Sequence, residues 1–159
     1  GQIHALAMAL EGQAIDLLIH NAGVYGHDMS RDLVLTTNAE APFKVINALM
    51  PAVGRGRQKK IVILSSHTGA RNGGPTPAGV YGASKAALND RYREIEPEWR
   101  ARAIVSVAFH PGWVQTDMGG ASASVTVADS VRGMRQVIGA LRPDDSGKFL
   151  DWQGKELSW

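Results

Sequence analysis

The apolar residues of this chain are concentrated in three short runs, which are separated by longer amphipathic stretches. The runs occupy residues 14–19, 60–64 and 103–109 and consist largely of Ile, Val, Leu and Ala. Short, almost continuous apolar runs are typical of strands that are covered on both faces of a parallel sheet. We therefore predict three buried parallel strands.

Four stretches have the spacing of helices, and they cover residues 2–11, 31–50, 79–96 and 127–141. Thr126 and Asp129 resemble a capping box that opens the last of these helices. Pro97 should end or kink the third helix, because proline has no N–H group to donate. One face of the last helix carries five apolar residues: Val127, Val131, Met134, Ile138 and Leu141.

Polar or glycine-containing motifs follow each predicted strand. They are HNAG at residues 20–23, SSHTG at 65–69 and HPGW at 110–113. Because strands and helices alternate, the plan is an open parallel sheet with helices on both sides. Ligands bind such sheets beyond the carboxyl ends of the strands, so we expect these three motifs to line one site.

Two loops rich in turn residues, 71–79 and 118–123, also lie beyond strand ends. A mobile lid over a substrate would lie in this position. The sequence fits a lid and a simple connection equally well.

A tyrosine and a lysine, Tyr81 and Lys85, stand four residues apart in the third predicted helix. Residues at this spacing share one face of a helix. A lysine cation within a few ångströms favours the tyrosinate, and so lowers the phenol pKa from its ordinary value of about 10. Such a phenol can exchange a proton with a carbonyl or alcohol oxygen. The same spacing also occurs on solvated helix faces without function, so the pair gains meaning from the motifs around it.

Four motifs occur here in the order seen in one enzyme family. They are NAG at residues 21–23, SSxxG at 65–69, YxxxK at 81–85 and HPGxxxT at 110–116. With them, the chain resembles the short-chain dehydrogenases/reductases over essentially all of its length. The stretches HPGWVQTDMGG and SGKFLDWQGKELSW resemble the C-signal/sniffer-type carbonyl reductase branch. The resemblance implies a single α/β domain over residues 1–159, with a Rossmann-like parallel sheet of about four strands and helices on both faces.

The resemblance implies a catalytic role for Tyr81, Lys85 and Ser66. Tyr81 would donate a proton in carbonyl reduction and accept it in alcohol oxidation, while Lys85 would lower its pKa and hold the nicotinamide ribose. Ser66 would hydrogen-bond the substrate carbonyl as negative charge develops on it. Ser65 is the alternative for that role, and the alternation of side chains along a strand favours Ser66.

Asn38 completes the catalytic group that the resemblance implies, because the matching asparagine of the family holds a water that links to the lysine. Pro42 has no N–H to donate to the carbonyl of residue 38. We therefore expect a free carbonyl at Asn38 and a kink in the helix there. A helix break without function is the alternative.

The resemblance also implies binding of NAD or NADP. Asn21, Ala22 and Gly23 would line the adenosine side, although His20 stands where many members have asparagine. The loop after the third strand would meet the nicotinamide carboxamide and the phosphates through Pro111, Gly112, Val114 and Thr116. Without the family match, a simple Pro-Gly turn would be the preferred interpretation of that loop.

The family begins with a β-α-β-α-β segment that carries a glycine-rich diphosphate loop, and no part of this sequence matches it. One βαβ unit takes roughly 30 or more residues, so about two units have no counterpart here. Residue 1 is Gly, and Ile3, Leu6 and Leu10 already follow a helical period. We expect an N-terminal half that is cleaved, disordered, supplied separately or not encoded, and we expect this chain alone to bind dinucleotide weakly.

Composition excludes several classes of function. The chain has 159 residues, no cysteine and a net charge of +2, which excludes disulfides and thiol catalysis and fits a cytoplasmic protein. No apolar run approaches the roughly 18 residues of a membrane span. The basic run at residues 55–60 contains no aromatic residue, so we expect a solvated loop and no nucleic-acid partner. The five histidines lack ligand spacing, and no metal site is predicted.

Two functions of different classes remain. The first is an NAD(P)-dependent carbonyl reductase or alcohol dehydrogenase that acts on a small carbonyl or alcohol substrate. The second is a non-catalytic signalling or interaction protein related to C-signal, and an inactive fragment is a further alternative. The resemblance also implies a possible homodimer through the helices at 31–50 and 79–96.

Overall fold

A sheet of four parallel strands organises the computed structural model, which describes residues 1–72, 74 and 79–159. The strands are β1 (Leu17–His20), β2 (Lys60–Leu64), β3 (Val105–His110) and β4 (Phe149–Asp151), and they lie side by side in chain order. The predicted α/β class and parallel sheet are confirmed. The second strand has its predicted bounds, whereas the first and third begin two to three residues later than predicted.

In the part of the chain that the structure describes, five α-helices connect or precede the strands: α1 (Gln2–Ala9), α2 (Arg31–Leu35), α3 (Ala41–Arg55), α4 (Val80–Ala101) and α5 (Val127–Ala140). A π-helical turn, Thr36–Glu40, joins α2 to α3. Short 3₁₀ turns cover His67–Gly69 and Pro143–Asp145.

Apolar side chains pack on both faces of the sheet. Successive strand residues point to opposite faces, so Ile61 and Ile63 enter one core while Val62 and Leu64 enter the other. The first core contains Ile46 of α3 and Trp99 of α4. The second contains Ile138 of α5. Helices therefore cover both faces, as predicted.

Strand β1 differs from the prediction of a strand buried on both faces. Leu17 and Ile19 are 37% and 45% exposed, whereas His20 is buried. The cause is the alternation of the strand: Leu18 packs against the core that contains α3 and α4, and Leu17 and Ile19 point to the other face. Within the described residues, the second core is built from β2, β3, β4 and α5 and does not reach them.

The helix predicted at 31–50 consists of three segments and continues to Arg55. In the π-helical turn, the N–H of Ala41 donates to the carbonyl of Thr36, five residues earlier. Pro42 lies in the first turn of α3 and has no N–H to close a normal helical bond to Asn38. At Asn38, where a kink was predicted, the helix therefore forms a wider, π-helical turn.

Pro97 does not end helix α4, which continues to Ala101. Pro97 is exposed, while Glu96 and Trp99 beside it are buried. Arg100 forms a 2.9 Å ion pair with Glu96 across the last turn. Burial of Trp99 and this ion pair hold the turn in spite of the missing hydrogen bond.

Helix α5 begins with the predicted cap. The N–H of Asp129 donates to the Thr126 hydroxyl at 3.1 Å, and that hydroxyl donates to the Asp129 carboxylate at 2.7 Å. The predicted apolar face is buried only in its second half: Ile138 and Leu141 are buried, whereas Val127 and Val131 are exposed.

No helix within residues 1–72, 74 and 79–159 is both long and apolar enough to cross a membrane. The predicted loop at 71–79 lies largely outside the described residues. The other predicted loop, 118–123, contains a turn in which the N–H of Gly120 donates to the carbonyl of Thr116 at 2.8 Å.

Candidate active site

Tyr81 lies in the first turn of α4, with its ring beside the end of β2. Burial raises the pKa of its phenol, and a hydrogen bond from Ser66 opposes that rise. The Tyr25 phenol raises the pKa further, and its ring stacks on that of Tyr81 with centroids 5.0 Å apart. The phenol therefore keeps its proton at neutral pH.

Lys85 lies one turn after Tyr81 and is only 5% exposed. Its ammonium donates to the carbonyl of Leu64 at 3.0 Å and lies 5.8 Å from the centroid of the Tyr81 ring. Burial lowers the pKa of Lys85 to about 8. The pKa of Tyr81 is raised, contrary to the predicted net lowering, because burial of the phenol is the largest effect on it.

Asn38 binds the loop that follows β1. Its side-chain oxygen accepts from the N–H of Val24 and its amide nitrogen donates to the carbonyl of Val24, both at 2.8 Å. The same nitrogen donates to the Ser84 hydroxyl at 2.9 Å. The Asn38 side chain thus joins the loop to α4 next to Lys85.

The two serines after β2 point in different directions, as alternation predicted. The Ser65 hydroxyl donates to the buried Asn89 side chain at 2.5 Å. The Ser66 hydroxyl interacts with Tyr81 and lies 2.8 Å from the Thr68 hydroxyl. The effect of a Ser66 hydrogen bond on the pKa of Tyr81 therefore favours Ser66 over Ser65 as the partner of the phenol.

Gly23 brings the loop after β1 against the lysine. A Cβ atom on Gly23 would lie 3.3 Å from Asn38 Oδ1 and 3.5 Å from Lys85 Nζ. Asn21 and Ala22 precede it and are exposed. Asn38, Lys85 and Gly23 therefore surround one small space, and the Lys85 ammonium lies 5.8 Å from the centroid of the Tyr81 ring.

The loop after β3 is stabilised mainly by its own contacts and by α5. Ser130 of α5 donates to the carbonyl of Pro111 at 2.6 Å. Gly112 has a φ of 89°, and a Cβ there would lie 3.0 Å from the Trp152 ring. The N–H of Thr116 donates to the carbonyl of Val114. The four predicted residues of this loop thus lie together, next to β3.

His67 and His110 connect that loop to Ser66, and sequence reasoning missed their contact. His67 Nδ1 lies 3.0 Å from His110 Nε2. Burial and repulsion from His67 lower the pKa of His110 to about 4, which Asp151 opposes. His110 is the last residue of β3, His67 lies three residues after the end of β2, and parallel strands end at one edge of a sheet. The position of each histidine near a strand end was thus the signal in the sequence that could have predicted their contact.

Tyr25 is the other site residue that sequence reasoning missed. It stacks on Tyr81 and also lies 4.5 Å from the ring of His27, centroid to centroid. It follows Gly23 by two positions. In the sequence, this contact was indicated only by the position of Tyr25 shortly after the NAG motif.

Comparison with known proteins relates most of the chain to one family. The model of the short chain dehydrogenase family matches residues 3–125. C-signal of Myxococcus xanthus is 41% identical over 91% of this chain and 93% of its own length. An uncharacterized oxidoreductase of Saccharomyces cerevisiae is 31% identical over 76% of this chain, which spans only 53% of that protein.

Solved structures give the same relation. The NADPH-bound carbonyl reductase from chicken fatty liver superposes with a TM-score of 0.86 at 36% identity. The carbonyl reductase Sniffer of D. melanogaster gives 0.83 at 28% identity. Each comparison covers 99% of this chain and 72% of the other.

Proposed function

Because the chain belongs to the short-chain dehydrogenase family, a family of oxidoreductases, we propose that it reduces a carbonyl compound with a nicotinamide dinucleotide. The observation that carries this proposal is the contact between the Tyr81 phenol and the Ser66 hydroxyl, with the Lys85 ammonium 5.8 Å from the Tyr81 ring. These groups lie beyond the carboxyl end of β2, where open parallel sheets bind ligands.

Tyr81 is the general acid in this proposal. Because burial raises its pKa, the phenol is protonated at neutral pH and has a proton to give to the carbonyl oxygen. Ser66 donates a hydrogen bond to the same oxygen as negative charge develops there, which stabilises the transition state. The product is the alcohol, and Tyr81 is left as the phenolate.

Lys85 stabilises that phenolate. Its pKa of about 8 keeps most of the amine protonated at neutral pH, and a cation near the Tyr81 oxygen favours the anion. The backbone carbonyl of Asn38 faces no N–H from Pro42, so it can accept a hydrogen bond from a water next to Lys85.

The residues present fit a nicotinamide dinucleotide, which supplies the hydride when bound. Lys85 is a buried donor with three N–H bonds, and the Leu64 carbonyl takes one of them. Gly23 leaves open the space that a side chain would fill in front of it. We propose that the cofactor is held by Asn21, Ala22, Gly23, Tyr81, Lys85, Pro111, Gly112, Val114 and Thr116.

The test is reduction of aromatic and aliphatic aldehydes and ketones with NADH or NADPH, together with a fluorescence titration of each cofactor. We expect weak dinucleotide binding, and we expect Tyr81→Phe to lower the rate by about 10²–10⁴-fold. Its thermal unfolding midpoint should stay near that of the wild type, because the ring remains.

Ser66→Ala and Ser65→Ala form a matched pair for the same assay. Ser66→Ala should lose most of the rate, whereas Ser65→Ala should mainly lose stability, about 1–3 kcal/mol, because Asn89 loses its partner. Absence of any reduction at high cofactor concentration would contradict the enzyme proposal, as would full activity of Tyr81→Phe.

A second candidate function is a signalling or interaction role without catalysis. The similarity to C-signal, which extends over 93% of that protein, supports it. Tyr81→Phe separates the two candidates. A signalling protein should keep its biological effect after this substitution, whereas an effect that depends on carbonyl reduction should disappear.

A further inference from the structure

Three polar groups surround the Ser66 hydroxyl. The N–H of Thr68 donates to Ser66 Oγ at 3.2 Å, and Thr68 Oγ1 lies 2.8 Å from the same oxygen. The third group is the Tyr81 phenol. A serine hydroxyl has one proton and two lone pairs. The partners that take the lone pairs therefore decide where the proton points.

Thr68 is able to occupy both lone pairs. Its N–H can only donate, and Thr68 is an exposed residue, so Oγ1 can accept from water while it donates to Ser66. In that arrangement the proton of Ser66 has one direction left, toward Tyr81. Each bond also polarises the next in a chain of hydroxyl groups, which strengthens the donation.

The turn that carries Thr68 is fixed against the helix that carries Tyr81. The N–H of Gly69 donates to the carbonyl of Ser66 at 3.0 Å. A Cβ on Gly69 would lie 2.6–2.8 Å from backbone and side-chain atoms of Lys85 and Ala86. The 3₁₀ turn and the start of α4 are therefore in direct contact, so Thr68 has a defined position relative to the phenol.

We propose that Thr68 is a positioning residue that holds Ser66 as a hydrogen-bond donor toward the oxygen of Tyr81 and of the substrate. This inference rests on the proposed function for its role in catalysis. The hydroxyl arrangement itself is independent of cofactor and substrate. Thr68 acts only through Ser66, so its effect must disappear when Ser66 has no hydroxyl.

The phenol pKa of Tyr81 measures this arrangement without any turnover, because a donor to the phenolate lowers it. We would label the tyrosines with ¹³Cζ, titrate the whole chain alone and assign the signals with Tyr81→Phe. Thr68→Val should lower the acid dissociation constant of Tyr81 by about threefold or more, and Thr68→Ser should restore it. The other titratable groups near this end of the sheet are the same in every variant: Lys85, Tyr25, His20, His27, His67 and His110.

A double-mutant cycle with Ser66→Ala completes the test. Thr68→Val should leave the Tyr81 pKa unchanged in the Ser66→Ala background. An unchanged pKa in the single variant, or an equal shift in both backgrounds, would overturn the proposal. Thr68→Ala is a second variant without the hydroxyl, and the Tyr92 signal reports the integrity of the fold. A chain that reduces no carbonyl refutes the proposed function but leaves this pKa coupling measurable.

Discussion

At the scale of single residues, burial and a hydrogen bond compete around Tyr81. Burial raises the pKa of the phenol and is the largest effect, whereas the hydrogen bond from Ser66 lowers it. The Lys85 ammonium lies 5.8 Å from the centroid of the Tyr81 ring and donates to the carbonyl of Leu64. A neutral, protonated Tyr81 suits the direction of reduction, in which the phenol must hold a proton before it gives one away.

Lys85 makes stability depend on pH. Its pKa is about 8 when folded and 10.5 in its ordinary state, so between these values the unfolded chain binds more protons and stability rises with pH. We expect a gain of about 2 kcal/mol in the free energy of unfolding between about pH 7.5 and 9.5.

Urea unfolding at several pH values measures this gain. Lys85→Met should lose it, because methionine has no charge to bury. The exposed Lys155→Met is the matched control and should keep it. If the free energy of unfolding of the wild type stayed constant or fell between about pH 7.5 and 9.5, Lys85 would not be a buried amine with a lowered pKa.

At the scale of elements, the site depends on close backbone contacts between a turn and a helix. Gly69 leaves room for the start of α4, and the turn it belongs to carries Ser66 and Thr68. The relative position of Ser66 and Tyr81 is thus set by one contact between the His67–Gly69 turn and α4.

Two glycine substitutions separate this contact from simple helix propensity. Gly69→Ala should destabilise the fold by about 1–3 kcal/mol, because its Cβ would overlap the Lys85 backbone. Gly54→Ala in α3 meets no atom within 4 Å, and it should stabilise the fold by about 0.5–1 kcal/mol. Thermal or urea unfolding of both variants checks this, and equal effects of the same sign would contradict it.

The elements also show what could be predicted from the sequence. Residues 60–64 and the Thr126 cap follow from local patterns, and both have their predicted bounds. The continuation of α4 past Pro97 depends on burial of Trp99, and the contact of Tyr25 with Tyr81 depends on the packing of distant segments. Such tertiary effects have no local pattern, and a propensity rule such as that for proline does not include them.

At the scale of the whole molecule, one face and one edge of β1 are uncovered within the described residues. Leu17 and Ile19 are exposed on that face, and among the described strands β1 pairs with β2 alone. Unpaired apolar edges pair readily with other chains. The chain spans about half the length of the fungal oxidoreductases that it matches and 72% of the chicken carbonyl reductase.

We expect this edge to make the purified chain self-associate in a concentration-dependent way. Ile19→Lys should reduce the association, because a charged side chain at an edge opposes strand pairing. Sedimentation velocity over a range of concentrations measures the effect, and Val131→Lys on the exposed face of α5 is the matched control. If both substitutions reduced self-association equally, the association would depend on surface hydrophobicity in general and not on the β1 edge.

The side chain of Asn38 has a consequence for the order of folding. It joins Val24 to Ser84, two residues that are far apart in the sequence. Bringing such residues together costs chain entropy, and the contacts within single helices and strands do not offset that cost. A molecule whose helices and strands have formed can thus still lack the surroundings of Tyr81. Slow hydrogen exchange at the amide of Val24 should therefore identify molecules in which the candidate active site has formed. Fast exchange there should identify molecules in which only the helices and strands have formed.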